Sequence, residues 1–128
     1  DNECINGKNV AVLGVTFKPG TDDLREAPSL SIVELLLEYN IKVTVYDPVG
    51  LENFKKLYGD KVEYSDTIDY AIKDKDAAFI LTEWPEIKNY LLKNYKELMR
   101  TAVVYDGRNC YTLEDAKKAK ILYRSIGR

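Results

Sequence analysis

The chain has no histidine, which removes Ser–His and Cys–His nucleophile pairs and imidazole metal ligands together. Its two cysteines, Cys4 and Cys110, are too few for a disulfide framework and lie at no metal-ligand spacing, so both are expected as reduced thiols. No apolar run approaches the roughly 20 residues that cross a bilayer, and Asp1-Asn2-Glu3-Cys4 has neither the basic start nor the apolar centre of a secretory signal. The expectation is a cytosolic protein with no membrane partner. Nor is there an excess of positive charge: 19 Lys and Arg stand against 21 Asp and Glu, a net −2, which gives no basic stripe for a nucleic-acid backbone. The Gly-x-Gly-x-x-Gly fingerprint is also missing, because Gly14 is followed by bulky Phe17 where a backbone would have to touch a pyrophosphate. A primary dinucleotide site is therefore not expected, and any chemistry falls to carboxylates, Lys, Arg, Tyr or the backbone.

What is present fits one domain. The 128 residues are 45% hydrophobic and 31% charged, enough to bury a core and typical of a soluble globular chain. Residues 1–8 are polar and read as a lead-in from an upstream domain; residues 9–128 carry the periodic pattern. The pattern is organised around Val12 to Ser29. There the apolar run Asn9–Val15 ends in Phe17-Lys18-Pro19-Gly20, and helical spacing resumes at Leu30, Val33, Leu36 and Leu37. Pro28 suits a first helical turn, and Asn40 can supply a left-handed stop.

The remainder repeats the unit. Ile41–Tyr46 alternates β-formers and ends at Asp47-Pro48, and Leu51, Phe54, Leu57 and Tyr58 mark an amphipathic helix. Val62–Tyr64 is a short strand, followed by N-cap side chains in Ser65-Asp66-Thr67 and a brief helix through Ile72. Asp76–Leu81 is the continuous apolar run of a central parallel strand buried on both faces. Thr82-Glu83-Trp84-Pro85 breaks it, and Ile87, Tyr90, Leu91, Tyr95 and Leu98 continue as helix. Ala102–Tyr105 is a strand closed by Asp106-Gly107-Arg108-Asn109, Thr112–Asp115 is a capping box, and Ile121–Tyr123 is a terminal strand. Strands alternating with helices predict an α/β fold: a Rossmann-like three-layer sandwich with a mostly parallel sheet of roughly six strands.

In such a sheet ligands bind at the carboxyl ends of the strands, so the loops after the first, fourth and fifth strands are expected to converge. They hold Phe17 to Arg25, Thr82 to Pro85, and Asp106 to Asn109. Lys18 suits a phosphate or a sugar hydroxyl, and the planar forks of Arg25 and Arg108 suit a diphosphate; pairing of each with a neighbouring carboxylate is the competing reading. Asp47 occupies the position of an acidic ribose ligand, but without the glycines its expected role is a turn or a cap. Asp22-Asp23 reads as loop structure and Trp84 as packing at a helix start. The tyrosines, with no interleaved basic residues, read as half-buried sheet and helix positions.

Gly14 to Ser29 resembles the Gly-x-x-Phe-Lys-x-x-Thr-x-Asp-x-Arg-Glu-x-Pro-Ser signature of the C-terminal domain of UDP-glucose 6-dehydrogenases and their relatives. Val45-Tyr46-Asp47-Pro48, Thr82-Glu83-Trp84-Pro85, Asp106-Gly107-Arg108-Asn109 and Tyr123-Arg124-Ser125-Ile126-Gly127-Arg128 resemble further blocks of that domain in the same order. The resemblance implies an enzyme that oxidises UDP-glucose to UDP-glucuronate in two NAD-dependent steps, this domain forming the nucleotide-sugar half of the cleft. It implies that Phe17, Lys18 and Arg108 contact the UDP-sugar and that Arg25 reaches across to NAD. The NAD-binding domain, the central dimerising helices and the segment with the catalytic thiol are not in this sequence, and neither Cys4 nor Cys110 matches that thiol. The chain alone is accordingly expected to make no NADH from UDP-glucose, and a homodimer or larger assembly is expected of the complete enzyme. The same domain of a GDP-mannose or UDP-N-acetyl-hexosamine dehydrogenase is the runner-up, and a non-catalytic interaction module the third reading. A phosphoacceptor receiver is disfavoured, since the third strand ends in no acceptor Asp and no Lys follows Tyr105.

Overall fold

The computed structural model describes residues 8–16 and 28–125. Within them lies a six-stranded sheet: β1 (Asn9–Leu13), β2 (Lys42–Tyr46), β3 (Glu63–Ser65), β4 (Ala77–Ile80), β5 (Val103–Asp106) and β6 (Leu122–Ser125), in the order β3-β2-β1-β4-β5-β6. Every neighbouring pair is parallel. The chain moves outward from β1 to β3, then returns to the other side of β1 and moves outward again from β4. The direction reverses between β1 and β4, which is the topological switch point where such sheets open a crevice.

Alternation along β1 supplies both cores. Val10 and Val12 face one way with Val33, Leu36, Val43, Val45, Phe54 and Tyr58, under helices α1 (Pro28–Glu38) and α2 (Leu51–Tyr58). Ala11 and Leu13 face the other way with Ile68, Ile72, Ile80, Ile87, Tyr95 and Val104, under α3 (Ile68–Ile72), α4 (Pro85–Lys88) and α5 (Leu92–Leu98). A strand buried on both faces needs apolar residues at every position, which is why β1 and β4 carry almost no polar side chain. The last helix, α6 (Leu113–Lys118), leads into β6.

The local signals act as chemistry requires. Helix α1 ends at Glu38, with Asn40 at φ 60° and the Ile41 amide donating to the Leu36 carbonyl at 3.1 Å, a left-handed stop. Thr67 and Thr112 each accept a hydrogen bond from the amide three residues on, Tyr70 and Asp115, and so cap α3 and α6.

Two expectations need correction. The first strand does not run to Val15: regular pairing stops at Leu13, because Gly14 turns to φ 88° and the Val15 amide leaves the ladder for the Asp47 carboxylate. The helical pattern from Ile87 to Leu98 is two helices, not one. The Ile87 and Tyr90 carbonyls are taken by the Tyr111 hydroxyl at 2.6 and 2.9 Å, and Leu91 is extended at ψ 130° between α4 and α5. A side chain inserted into the helical ladder ends it there.

Candidate functional site

The carboxyl ends of β1, β4 and β5 lie side by side, since β4 pairs with both of the others. The exit of β1 is clamped on every side. The Gly14 amide donates to the Tyr46 carbonyl at 2.7 Å; the Val15 and Thr16 amides donate to Asp47 Oδ2 at 2.8 and 3.3 Å. The Val15 carbonyl accepts from Ser29 Oγ at 2.6 Å, and the Thr16 carbonyl accepts from Thr82 Oγ1 at 2.6 Å. This leaves β1 through backbone fixed to β2, β4 and α1 at once. Gly14 is required there twice over: its φ is positive, and a Cβ would stand 2.6 Å from Thr82 Cβ.

Asp47 is the centre of this clamp. It is 2% exposed, and besides the amides of Val15 and Thr16 it accepts from Val49 and Gly50 at Oδ1, at 3.0 and 2.7 Å, and from the Trp84 indole at Oδ2, at 3.0 Å. The expected turn role is what the geometry gives, extended to a junction of three loops. Trp84 is buried and precedes Pro85 at the start of α4, as expected for packing at a helix start.

The third loop is built the same way. Asp106, 2% exposed, accepts from the Arg108 amide at Oδ1 and from the Cys110 and Tyr111 amides and the Tyr123 hydroxyl at Oδ2. The Gly107 amide donates to the Ile80 carbonyl at 2.9 Å, tying the turn back to β4. Arg108 is thereby presented at the edge. Its Nε lies 3.0 Å from Glu83 Oε1 of the β4 loop, with the two side chains 32% and 40% exposed. The carboxylate pairing and the outward placement thus coexist, and a pair this exposed is worth only about 0–1 kcal/mol, so a ligand's phosphate can compete for the guanidinium.

Phe17, Lys18 and Arg25, and with them Asp22 and Asp23, lie outside the described residues. Of the expected site residues, the structure places Arg108, on the edge of the sheet that also holds the clamped exit of β1, with β4 between them, and Phe17 and Lys18 follow that exit in sequence. Sequence reasoning missed Glu83 as its partner and Asp106 as the residue that holds its loop. The available signal was the repetition of one arrangement: Asp47 and Asp106 each end a β-strand sequence and precede a Pro or Gly turn, the setting in which an Asp side chain caps its own following amides.

Cys110 is not a nucleophile in this setting. Burial first, then the nearby Asp106 and Glu83 carboxylates, push its thiol from 9.0 up to about 12, so it stays protonated at neutral pH. Among the described residues no group of His, Cys, Asp or Glu is arranged to hold a metal, and no helix is long and apolar enough to cross a membrane. The described residues do not fit a dinucleotide cradle either. The amides of Val15 and Thr16 are bonded to Asp47, and that carboxylate is enclosed, whereas a ribose ligand must face the cleft.

Comparison with known proteins identifies the arrangement. Residues 11–113 match the profile described as the UDP-glucose/GDP-mannose dehydrogenase family, UDP binding domain. The UDP-glucose 6-dehydrogenase YwqF of Bacillus subtilis is 45% identical over 97% of this chain, which spans 28% of that relative's length. A UDP-glucose dehydrogenase from the archaeon Pyrobaculum islandicum matches in structure with a TM-score of 0.76 at 34% identity, over 94% of this chain and 25% of that one. An NDP-N-acetyl-D-galactosaminuronic acid dehydrogenase from Methanosarcina mazei matches with a TM-score of 0.82 at 29% identity, over 97% of this chain and 25% of that one. The chain thus spans about a quarter of the length of these relatives.

Proposed function

The chain belongs to the UDP-glucose/GDP-mannose dehydrogenase family, as its UDP-binding domain, and on that premise we propose that it is the UDP-sugar half-site of an NAD-dependent UDP-glucose 6-dehydrogenase. The complete enzyme would convert UDP-glucose, two NAD and water to UDP-glucuronate and two NADH. In this reading residues 9–128 form the half-site, residues 1–8 lead in from a preceding domain, and the enzyme works in the cytoplasm as a homodimer or larger assembly. The observation that carries it is the placement of Arg108 just past the carboxyl end of β5, on the same edge of the sheet as the clamped exit of β1 and separated from it by β4, with about a third of its side chain exposed. An Arg fork binds diphosphate oxygens in two parallel hydrogen bonds, Asp47 and Asp106 are buried and spent on holding the loops, and the half-exposed Glu83 is the carboxylate that a diphosphate would displace from Arg108. In this proposal Phe17 and Lys18 also contact the UDP-sugar, and Arg25 contacts NAD held mainly by the rest of the enzyme.

The chain's own work is binding and orientation, not bond-making. Fixing the diphosphate anchors the far end of the substrate, so that the sugar C6 alcohol is delivered in one orientation to a catalytic thiol and a nicotinamide held elsewhere in the enzyme. NAD supplies hydride acceptance there. The 45% identity to a relative named for UDP-glucose supports that sugar over N-acetylated ones, whereas the TM-score of 0.82 to the N-acetylgalactosaminuronic acid enzyme favours the second reading. Calorimetric titration of the chain with UDP, GDP, UDP-glucose and UDP-N-acetylglucosamine decides between them. We expect saturable binding that prefers uracil over guanine and tolerates glucose; preference for GDP, or for the N-acetylated sugar, would overturn the assignment.

A further inference from the structure

We infer that Asp106 and Tyr123 are positioning residues for the site: the buried carboxylate, held by the β6 tyrosine, fixes the turn that aims Arg108. This rests on the reading of Arg108 as a ligand contact given above. A turn of this kind needs only one bond from an Asp side chain to the amide two residues on, and Asp106 Oδ1 makes it to the Arg108 amide at 2.9 Å. The second oxygen is therefore surplus to turn formation, yet it is fully used. Oδ2 accepts from the Cys110 amide at 2.6 Å, the Tyr111 amide at 3.3 Å and the Tyr123 hydroxyl at 2.6 Å. An enclosed carboxylate is costly to desolvate, and an Asn or Ser would form the same turn more cheaply. Rigidity of residues 106–111 is what the charge adds.

That rigidity is passed to the rest of the fold through the tyrosines. The Tyr123 hydroxyl is also 3.0 Å from the Tyr111 carbonyl, and the two rings meet edge to face at 6.4 Å. The Tyr111 hydroxyl reaches the Ile87 and Tyr90 carbonyls between α4 and α5, and lies 3.3 Å from the hydroxyl of fully buried Tyr95. Asn109, at φ 55°, completes the bend immediately after Arg108. The Arg108 backbone is thus locked from β5, β6 and the α4–α5 break, and its Nε meets Glu83 as a result. Loss of the Tyr123 hydroxyl leaves Oδ2 short of its side-chain donor and frees the turn to rock.

The test uses the whole 128-residue chain, labelled with nitrogen-15, as wild type, Tyr123→Phe, and Tyr58→Phe. The last removes a hydroxyl of similar burial that bonds Glu34 on the far side of the sheet. In wild type the Arg108 Nε–H resonance should be dispersed and slow to exchange with water. In Tyr123→Phe it should move to the position of a free arginine and exchange at least about tenfold faster, while Tyr58→Phe leaves it unchanged. Titration with UDP closes the argument through a double-mutant cycle: Tyr123→Phe should weaken binding about tenfold alone, but less than about twofold in an Arg108→Ala background. An unchanged Arg108 resonance in Tyr123→Phe, or an additive cycle, overturns the inference. Failure of wild type to bind UDP sinks the ligand reading instead, and the resonance still decides whether Asp106 and Tyr123 position Arg108.

Discussion

Replacing Asp47 by Ala should be among the most damaging single changes to this domain, although the residue touches no ligand in the account given above. The side chain accepts from the Val15, Gly50 and Trp84 donors at 2.8, 2.7 and 3.0 Å, all in buried surroundings. It also accepts from Val49, a residue 50% exposed whose amide can turn to water instead. Each enclosed donor left without a partner costs about 1–3 kcal/mol, so these three short bonds alone represent about 3–9 kcal/mol, with the longer one from the Thr16 amide at 3.3 Å in addition. Water entering the space vacated by the carboxylate recovers part of this, which places the expected loss at about 3–5 kcal/mol, against a total stability of about 5–15 kcal/mol for a domain of this kind. The assay is urea unfolding followed by circular dichroism, comparing midpoints at constant slope. Asp47→Asn, which keeps one acceptor oxygen, should lose less. A loss below about 1 kcal/mol for Asp47→Ala would refute the claim that this carboxylate holds the three loops together.

Further outcomes follow from the same contacts. Gly14→Ala must place a methyl 2.6 Å from Thr82 Cβ at a positive φ, and should cost about 3 kcal/mol or more in the same assay, with the Thr82–Thr16 bond broken. Tyr111→Phe removes the side-chain donor shared by the Ile87 and Tyr90 carbonyls, leaving the Ile87 carbonyl with the Tyr90 amide at 3.2 Å, and should cost about 1–3 kcal/mol, with faster amide exchange in α4 and α5 than in α1. Alkali should destabilise the fold: burial raises the Cys110 thiol from 9.0 to about 12 and the Tyr58 hydroxyl from 10.0 to about 12. Because the fold favours their protonated forms, that stability is whole below pH 9 and drains as pH rises toward 12. A thermal midpoint that holds constant from pH 8 to 11 would contradict this.

The sheet was legible in the sequence because burial on both faces writes itself as uninterrupted apolar runs, as at Ala77–Ile80, and its boundaries were marked by residues with a local mechanism, Asn40, Thr67 and Thr112 among them. What was not legible depends on residues distant in the chain. The break between α4 and α5 is imposed by Tyr111, which lies 24 residues beyond the carbonyl of Ile87 that it takes. The early end of β1 is imposed by Asp47, 32 residues beyond Val15. The pairing of Arg108 with Glu83 spans 25 residues and needs the β4–β5 register to be known first. Periodicity reports which face a residue buries, not which side chain from another element will claim its backbone. At the site, the cation Arg108 was readable as a residue type on a strand-end loop, while Asp106, which holds it there, looked like one more turn residue.

Ligand binding at the carboxyl edge of β1, β4 and β5 is tested most directly by mapping amide shifts of the chain during titration with UDP. Shifts should concentrate at Gly107 and Arg108, at Thr82 and Glu83, and at the exit of β1 through Thr16, and should vanish from the Arg108 loop in Arg108→Ala. Saturable shifts confined to the opposite edge of the sheet, or to the surface between α1 and α2, would contradict it.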